Sequence, residues 1–169
     1  MVSTRACELP GGTLLRGYSE QGAYVDCYVT DCARPVSHAE YVEAFYTTAV
    51  FKLERLLLSL FVDRPSTDAG VRDLAEARTT SFAAWTVEAR SSDQLLLTDF
   101  MGHTRSWLMV TPASDGRSTQ LWFGSAVVPV TDRQGRRKMG WRFRALLGFH
   151  KLYSRVLLSA AARRIASRG

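Results

Sequence analysis

Residues 133–169 hold 11 Lys or Arg side chains and no Asp or Glu. The whole chain has 22 basic and 16 acidic residues, so its net charge of +6 is +11 on this tail and −5 on the body. The tail is also rich in Trp, Phe, Leu, Tyr, Val and Ile. A segment both apolar and cationic must bury one side and offer the other to solvent or to an anion. It therefore demands a scaffold that takes up a long amphipathic helix.

The body is large enough to be that scaffold. A chain of 169 residues with 46% hydrophobic and 22% charged side chains has the make-up of a single folded domain with its own core. The densest apolar stretch, Leu56 to Val62, is far short of the ~20 residues that span a bilayer. The first residues lack a secretory apolar run. A cytoplasmic protein is the expectation. Cys7, Cys27 and Cys32 are odd in number and lack CxxC spacing. Cys27 and Cys32 lie roughly 16 Å apart in an extended strand and point to opposite faces, so the cysteines read as reduced structural thiols.

Residues 1–22 read as an N-terminal arm with little structure of its own, and 23–169 as one domain. From Ala23 to Cys32 the chain alternates, with Tyr24, Asp26, Tyr28 and Thr30 on one face and Val25, Cys27, Val29 and Asp31 on the other, which predicts a strand. Ser37 and Glu40 form a capping box before a helix. Thr47-Thr48 bends or splits that helix, Val50, Leu53, Leu57 and Leu60 continue it, and Asp63 to Pro65 stops it. Ser66-Thr67-Asp68 caps a further short helix. The period then changes to two. Phe82–Arg90 predicts a strand with Ala83, Trp85, Val87 and Ala89 on one face. Leu95–Phe100 and Thr104–Thr111 form a hairpin about Met101-Gly102-His103. Thr119–Val130 is a long strand in which Gly124 suggests a bend or bulge. A polar basic loop, 131–140, leads to the final helix. The predicted class is α+β, with two or three helices inserted after the first strand.

This order resembles the helix-grip superfamily, the START and Bet v 1-like fold (SRPBCC). The segments FKLERLLL at 51–58, LWFGSAVVP at 121–129 and LLGFHKLYSRVLLSAAARR at 146–164 are similar to a bacterial family within it. The resemblance implies a curved antiparallel sheet gripping the long C-terminal helix, with a cavity between them for an apolar ligand. It implies no particular chemistry. Five strands are counted here, where full members have six or seven.

On a helical wheel with Phe143 at zero, Leu147, Leu158 and Ile165 fall at about 40–60°, and Leu146, His150, Tyr153 and Leu157 at about 280–340°. Phe149, Leu152 and Val156 add an arc near 180–240°. Over half the circumference is apolar, so the helix is gripped on two sides or also meets a partner, a second copy of the chain included. Arg163, Arg164 and Arg168 in the last turns complement the helix dipole.

Taking Gly102 as the hairpin centre, Asp99 faces Arg105, Leu97 faces Trp107 and Leu95 faces Met109, all on one sheet face. Trp85, Leu97, Trp107, Trp122, His150 and Tyr153 then line a pocket, and Asp99, His103 and Arg105 form its polar mouth. The alternative for the mouth is an exposed cross-strand ion pair. For His150 it is a core histidine on a backbone carbonyl, and for the tryptophans it is core packing. His38, in the first turn of its helix, is taken as exposed and without a role. The three histidines lack metal-ligand spacing, so neither a metal nor a cofactor is expected. Ser125 lies mid-strand rather than on a sharp turn, which argues against a hydrolase.

Three functions remain open. One is binding of a small hydrophobic or amphipathic ligand. Another is an enzyme of cyclase, dehydratase or isomerase type using His150 or His103 as general base. The third is a dimeric structural protein with a filled core. Nucleic acid is disfavoured by the acidic body and the lack of a recognised module. The basic and aromatic residues of 133–144 allow peripheral contact with an anionic membrane.

Overall fold

The computed structural model describes residues 3–49, 51, 67–128, 130–131, 137–138 and 141–167; for 130–131, 137–138 and 141–152 the description is of backbone. The elements run β1 (Arg5–Ala6), α1 (Arg16–Glu20), β2 (Tyr24–Cys32), α2 (His38–Tyr46), α3 (Asp68–Ala75), β3 (Ser81–Phe82), β4 (Trp85–Arg90), β5 (Gln94–Asp99), β6 (Thr104–Pro112), β7 (Thr119–Val127), β8 (Val130–Thr131), β9 (Arg137–Lys138) and α4 (Trp141–Ala166). Seven strands form one open antiparallel sheet in the order β1-β2-β7-β6-β5-β4-β3. β8 and β9 pair separately, at the two ends of the stretch read as a loop. The class is α+β, with the last helix C-terminal. The continuation of the α2 region through Leu53, Leu57 and Leu60, and its stop at Asp63 to Pro65, lie outside the described residues.

Local chemistry sets the helix ends. The Ser37 hydroxyl accepts from the Glu40 N–H at 3.1 Å, as the capping box requires. The Glu40 carboxylate is held by the Arg34 guanidinium, which also donates to the Ile165 carbonyl at 3.0 Å. One side chain thus ties the first turn of α2 to the last turn of α4 and satisfies a carbonyl that the helix leaves open. α2 ends at Thr47, whose hydroxyl donates back to the Glu43 carbonyl at 2.7 Å. Thr67 caps α3 by accepting from Gly70 N–H at 3.1 Å.

Three expectations about the strands are corrected. First, the segment read as Phe82–Arg90 is two strands: Ala83, at φ 52°, turns the chain so that Phe82 pairs with Trp85. A bulge at Glu88 then moves Ala89 opposite Leu96, on the face away from Trp85 and Val87. Second, the β5–β6 hairpin is symmetric about the Met101–Gly102 bond, not about Gly102. Leu97 lies opposite Ser106, Leu96 opposite Trp107 and Thr98 opposite Arg105. The turn closes through Gly102 N–H to the Asp99 carbonyl at 2.9 Å, with Gly102 at φ 71°. Asp99 Oδ1 accepts from the N–H groups of His103 at 2.7 Å and Thr104 at 3.2 Å. A shift of one residue puts every side chain of one strand on the other face. Third, β7 pairs without interruption on both sides through Gly124. That glycine is required by space rather than by a bend: a Cβ there would lie 2.8 Å from Leu15 Cδ2, 2.9 Å from Trp107 Cε3 and 3.0 Å from the Asp26 carbonyl oxygen. Gly124→Ala is expected to destabilise the fold by about 1–3 kcal/mol, read as a lowered midpoint in urea with an unchanged slope.

The sheet has a core on each face. On one, Tyr28, Leu95, Leu97, Leu108, Leu121 and Phe123 pack with Tyr41, Phe45 and Tyr46 of α2, Val71 and Leu74 of α3, and Leu157, Leu158, Ala161 and Ile165 of α4. α4 lies on β2, β7 and α2. Val156, in the third arc of the wheel, is exposed. On the other face, Cys27, Leu96, Trp107, Met109 and Ala126 are covered by Leu9, Leu14, Leu15 and Tyr18. The N-terminal residues therefore carry structure: β1 extends the sheet, and α1 with the turn before it covers the back face. Gln94 joins this cover to the sheet, its Oε1 accepting from Leu14 N–H and from the Trp107 indole, each at 2.9 Å.

Candidate functional site

The helix-facing side of the sheet turns polar in one row. Asp26 on β2 pairs with Ser125 on β7, which pairs with Ser106 on β6, and Leu97 and Val87 continue the row to β4. These positions follow from strand alternation, since Asp26 shares its face with Tyr28, and Ser125 with Leu121 and Phe123. Asp26, Ser106 and Ser125 are all buried. Asp26 Oδ1 accepts from the Ser125 hydroxyl at 2.6 Å and from the Ser125 N–H at 3.1 Å. One strand over, the Ser106 and Tyr46 hydroxyls lie 3.0 Å apart. Tyr46 descends from α2, so helix and sheet both contribute.

A carboxylate here is a hydrogen-bond acceptor inside an otherwise apolar layer. It reaches its neighbours electrostatically: the Tyr28 phenol is pushed up to about 12 by burial, with the Asp26 charge adding to the shift. The Ser106–Tyr46 pair can donate or accept. Together these groups make a polar row that donates and accepts hydrogen bonds, and Leu97 and Val87 continue the row as apolar side chains.

The residues proposed from sequence fall on two sides. Trp85, Leu97 and Tyr153 belong to the helix-facing core, and Asp99 lies opposite Trp85. The Trp85 indole N–H is buried with no hydrogen-bond partner among the described residues. Trp107 and Trp122 belong to the back-face core. Arg105 does not pair with Asp99. It meets Glu88 at 2.7 Å, and its Nε donates to the Tyr18 hydroxyl at 2.9 Å, with the guanidinium over the Tyr18 ring. The polar mouth is thus not assembled: Asp99 caps its own turn, and Arg105 fastens α1 to the back face. His103 sits in the hairpin loop, where its carbonyl accepts from Val128 N–H at 2.8 Å. The side chain of His150 lies outside the described residues.

His38 is buried rather than exposed. Its Nε2 has no partner among the described residues. Burial pushes its pKa down to about 4, and Arg90 adds to that, against a backbone hydrogen bond with Leu108 and the Asp93 charge. The signal for Asp26 was present in the sequence, as an acid alternating with Tyr24, Tyr28 and Thr30 in a strand of otherwise core-forming residues. Tyr46 and Ser106 gave no such signal, because their meeting depends on how α2 crosses the sheet. No family model, curated protein or solved structure matches the chain.

Proposed function

We propose that this chain binds a small hydrophobic or amphipathic ligand between the sheet and the C-terminal helix, in a helix-grip arrangement. The strand order supports this: α2 and α3 are inserted between β2 and β3, the meander β4–β7 closes back on β2, and α4 crosses β2 and β7. The observation that carries the reading is the buried Asp26 carboxylate, set with Ser125, Ser106 and Tyr46 on the helix-facing side. The ligand's polar end sits at Asp26 and carries a donor, a hydroxyl or an amine. Its apolar body runs over Leu97 and Val87 toward Trp85, and Tyr153 borders the same layer.

Dodecylamine, dodecanol and dodecanoate test this by titration under native mass spectrometry. The amine and the alcohol are expected to bind, and dodecanoate about tenfold or more weaker, because a second carboxylate beside Asp26 is repelled. Asp26→Asn should bring dodecanoate close to the alcohol. Equal binding of all three probes, or binding of none, would sink the reading.

A further inference from the structure

We propose that Cys7 and Cys27 form a disulfide by exchange with a low-molecular-weight disulfide, and that the bond locks the back-face cover onto the sheet. The two sulfurs lie 3.4 Å apart. The β1–β2 register, Arg5 opposite Val29 and Ala6 opposite Tyr28, places Cys7 directly opposite Cys27. Cys7 N–H donates to the Cys27 carbonyl at 3.0 Å, which marks a hydrogen-bonded antiparallel pair. Such a pair holds its Cα atoms about 5.5 Å apart, inside the ~4.4–6.8 Å span that a disulfide bridges. Closing the bond brings the sulfurs from 3.4 Å to the ~2.05 Å of an S–S bond, by rotation of the two thiols and a small shift of the two-residue edge strand β1. Both are free in the structure.

Access comes from one side. Cys7 and Cys27 line an open groove of about 770 Å³, walled also by Leu9, Arg16, Tyr24 and Arg155. Cys7 is the partly exposed member and Cys27 the buried one, which assigns the order of events. The Cys7 thiolate attacks the small disulfide, forming a mixed disulfide and releasing one small thiol. Cys27 then attacks the Cys7 sulfur, forming Cys7–Cys27 and releasing the second small thiol. Two protein thiols are oxidised and one small disulfide is reduced to two thiols. Burial raises both protein thiols above their ordinary range, so exchange accelerates as the pH rises. Cys32 belongs to the helix-facing core, on the other side of the sheet from the pair.

The loop closed by this bond contains Leu9, Leu14, Leu15 and Tyr18, the residues that cover Trp107 and Met109. Oxidation thus restrains the part of the chain that the back-face core depends on. The test treats the full chain with oxidised glutathione at mildly alkaline pH and maps its peptides. The expected product lacks two hydrogens, carries no glutathione, and links the Cys7 and Cys27 peptides, in Cys32→Ser as in the parent. Its melting temperature should rise by about 5–10 °C and return on reduction. A persistent glutathione adduct on Cys7, a link that includes Cys32, or three thiols left unreacted would each overturn the proposal. The parent map decides even where Cys32→Ser fails to fold.

Discussion

Trp107→Ala is expected to lower the unfolding free energy by about 3–5 kcal/mol while leaving the affinity for dodecanol within about twofold. The indole is fully buried on the back face and lies over Gly124, where there is no side chain to fill the space it would vacate. Its N–H also donates to Gln94 Oε1, the same oxygen that holds Leu14 N–H. The truncation thus removes packing and loosens the cover formed by the N-terminal residues. Trp107→Phe should recover most of the packing but not the hydrogen bond, leaving a deficit of about 1 kcal/mol or more. Urea unfolding followed by circular dichroism measures the stability term, and native mass spectrometry of the folded fraction measures the affinity. A variant that kept its stability and lost the probe would return Trp107 to the ligand side of the sheet and contradict the observed register.

Acid should weaken the fold as the pH falls below 6.5. His38 has a folded-state pKa near 4 against an ordinary 6.5. The unfolded chain therefore takes up this proton first as the pH falls. The stability owed to neutral His38 is whole above pH 6.5, shrinks through the interval down to about 4, and is then gone, for a total of about 3 kcal/mol. Asp31, held below the usual carboxylate value of 3.8 chiefly by its hydrogen bond with Arg5, loses its share only at lower pH. Urea midpoints measured across this range should slope downward in the parent and flatten in His38→Gln. Equal slopes in both would remove His38 as the cause.

The order of the main elements, β2, α2, α3, the meander and α4, was legible because each rests on local chemistry, whereas β1, α1, β3 and the β8–β9 pair were not. Alternation marked β2 and the meander, and Ser37 and Thr67 marked two helix starts. What escaped was decided by single residues acting over short range. One position of slip at the β5–β6 turn depends on Asp99 gathering two loop N–H groups, and nothing in the alternation of Leu95–Asp99 reveals where the pairing is centred. The Glu88 bulge is equally silent, since it spoils the parity of Ala89 without leaving a glycine or proline behind. Leu9, Leu14, Leu15 and Tyr18 follow neither a helical nor an extended period, so their burial becomes visible only once the sheet presents a greasy back. For the candidate site, the face of Asp26 was readable from its strand, and the contribution of α2 was not.

The sheet's central strand, β6, and its neighbour β7 are each covered above and below. Opening either one to water would uncover two separate layers together, whereas β3 and β4 at the rim have little to lose on one side. Spontaneous fluctuations of this molecule should therefore start at that rim and die out before the middle. For the ligand proposed above, that rim is the expected way in.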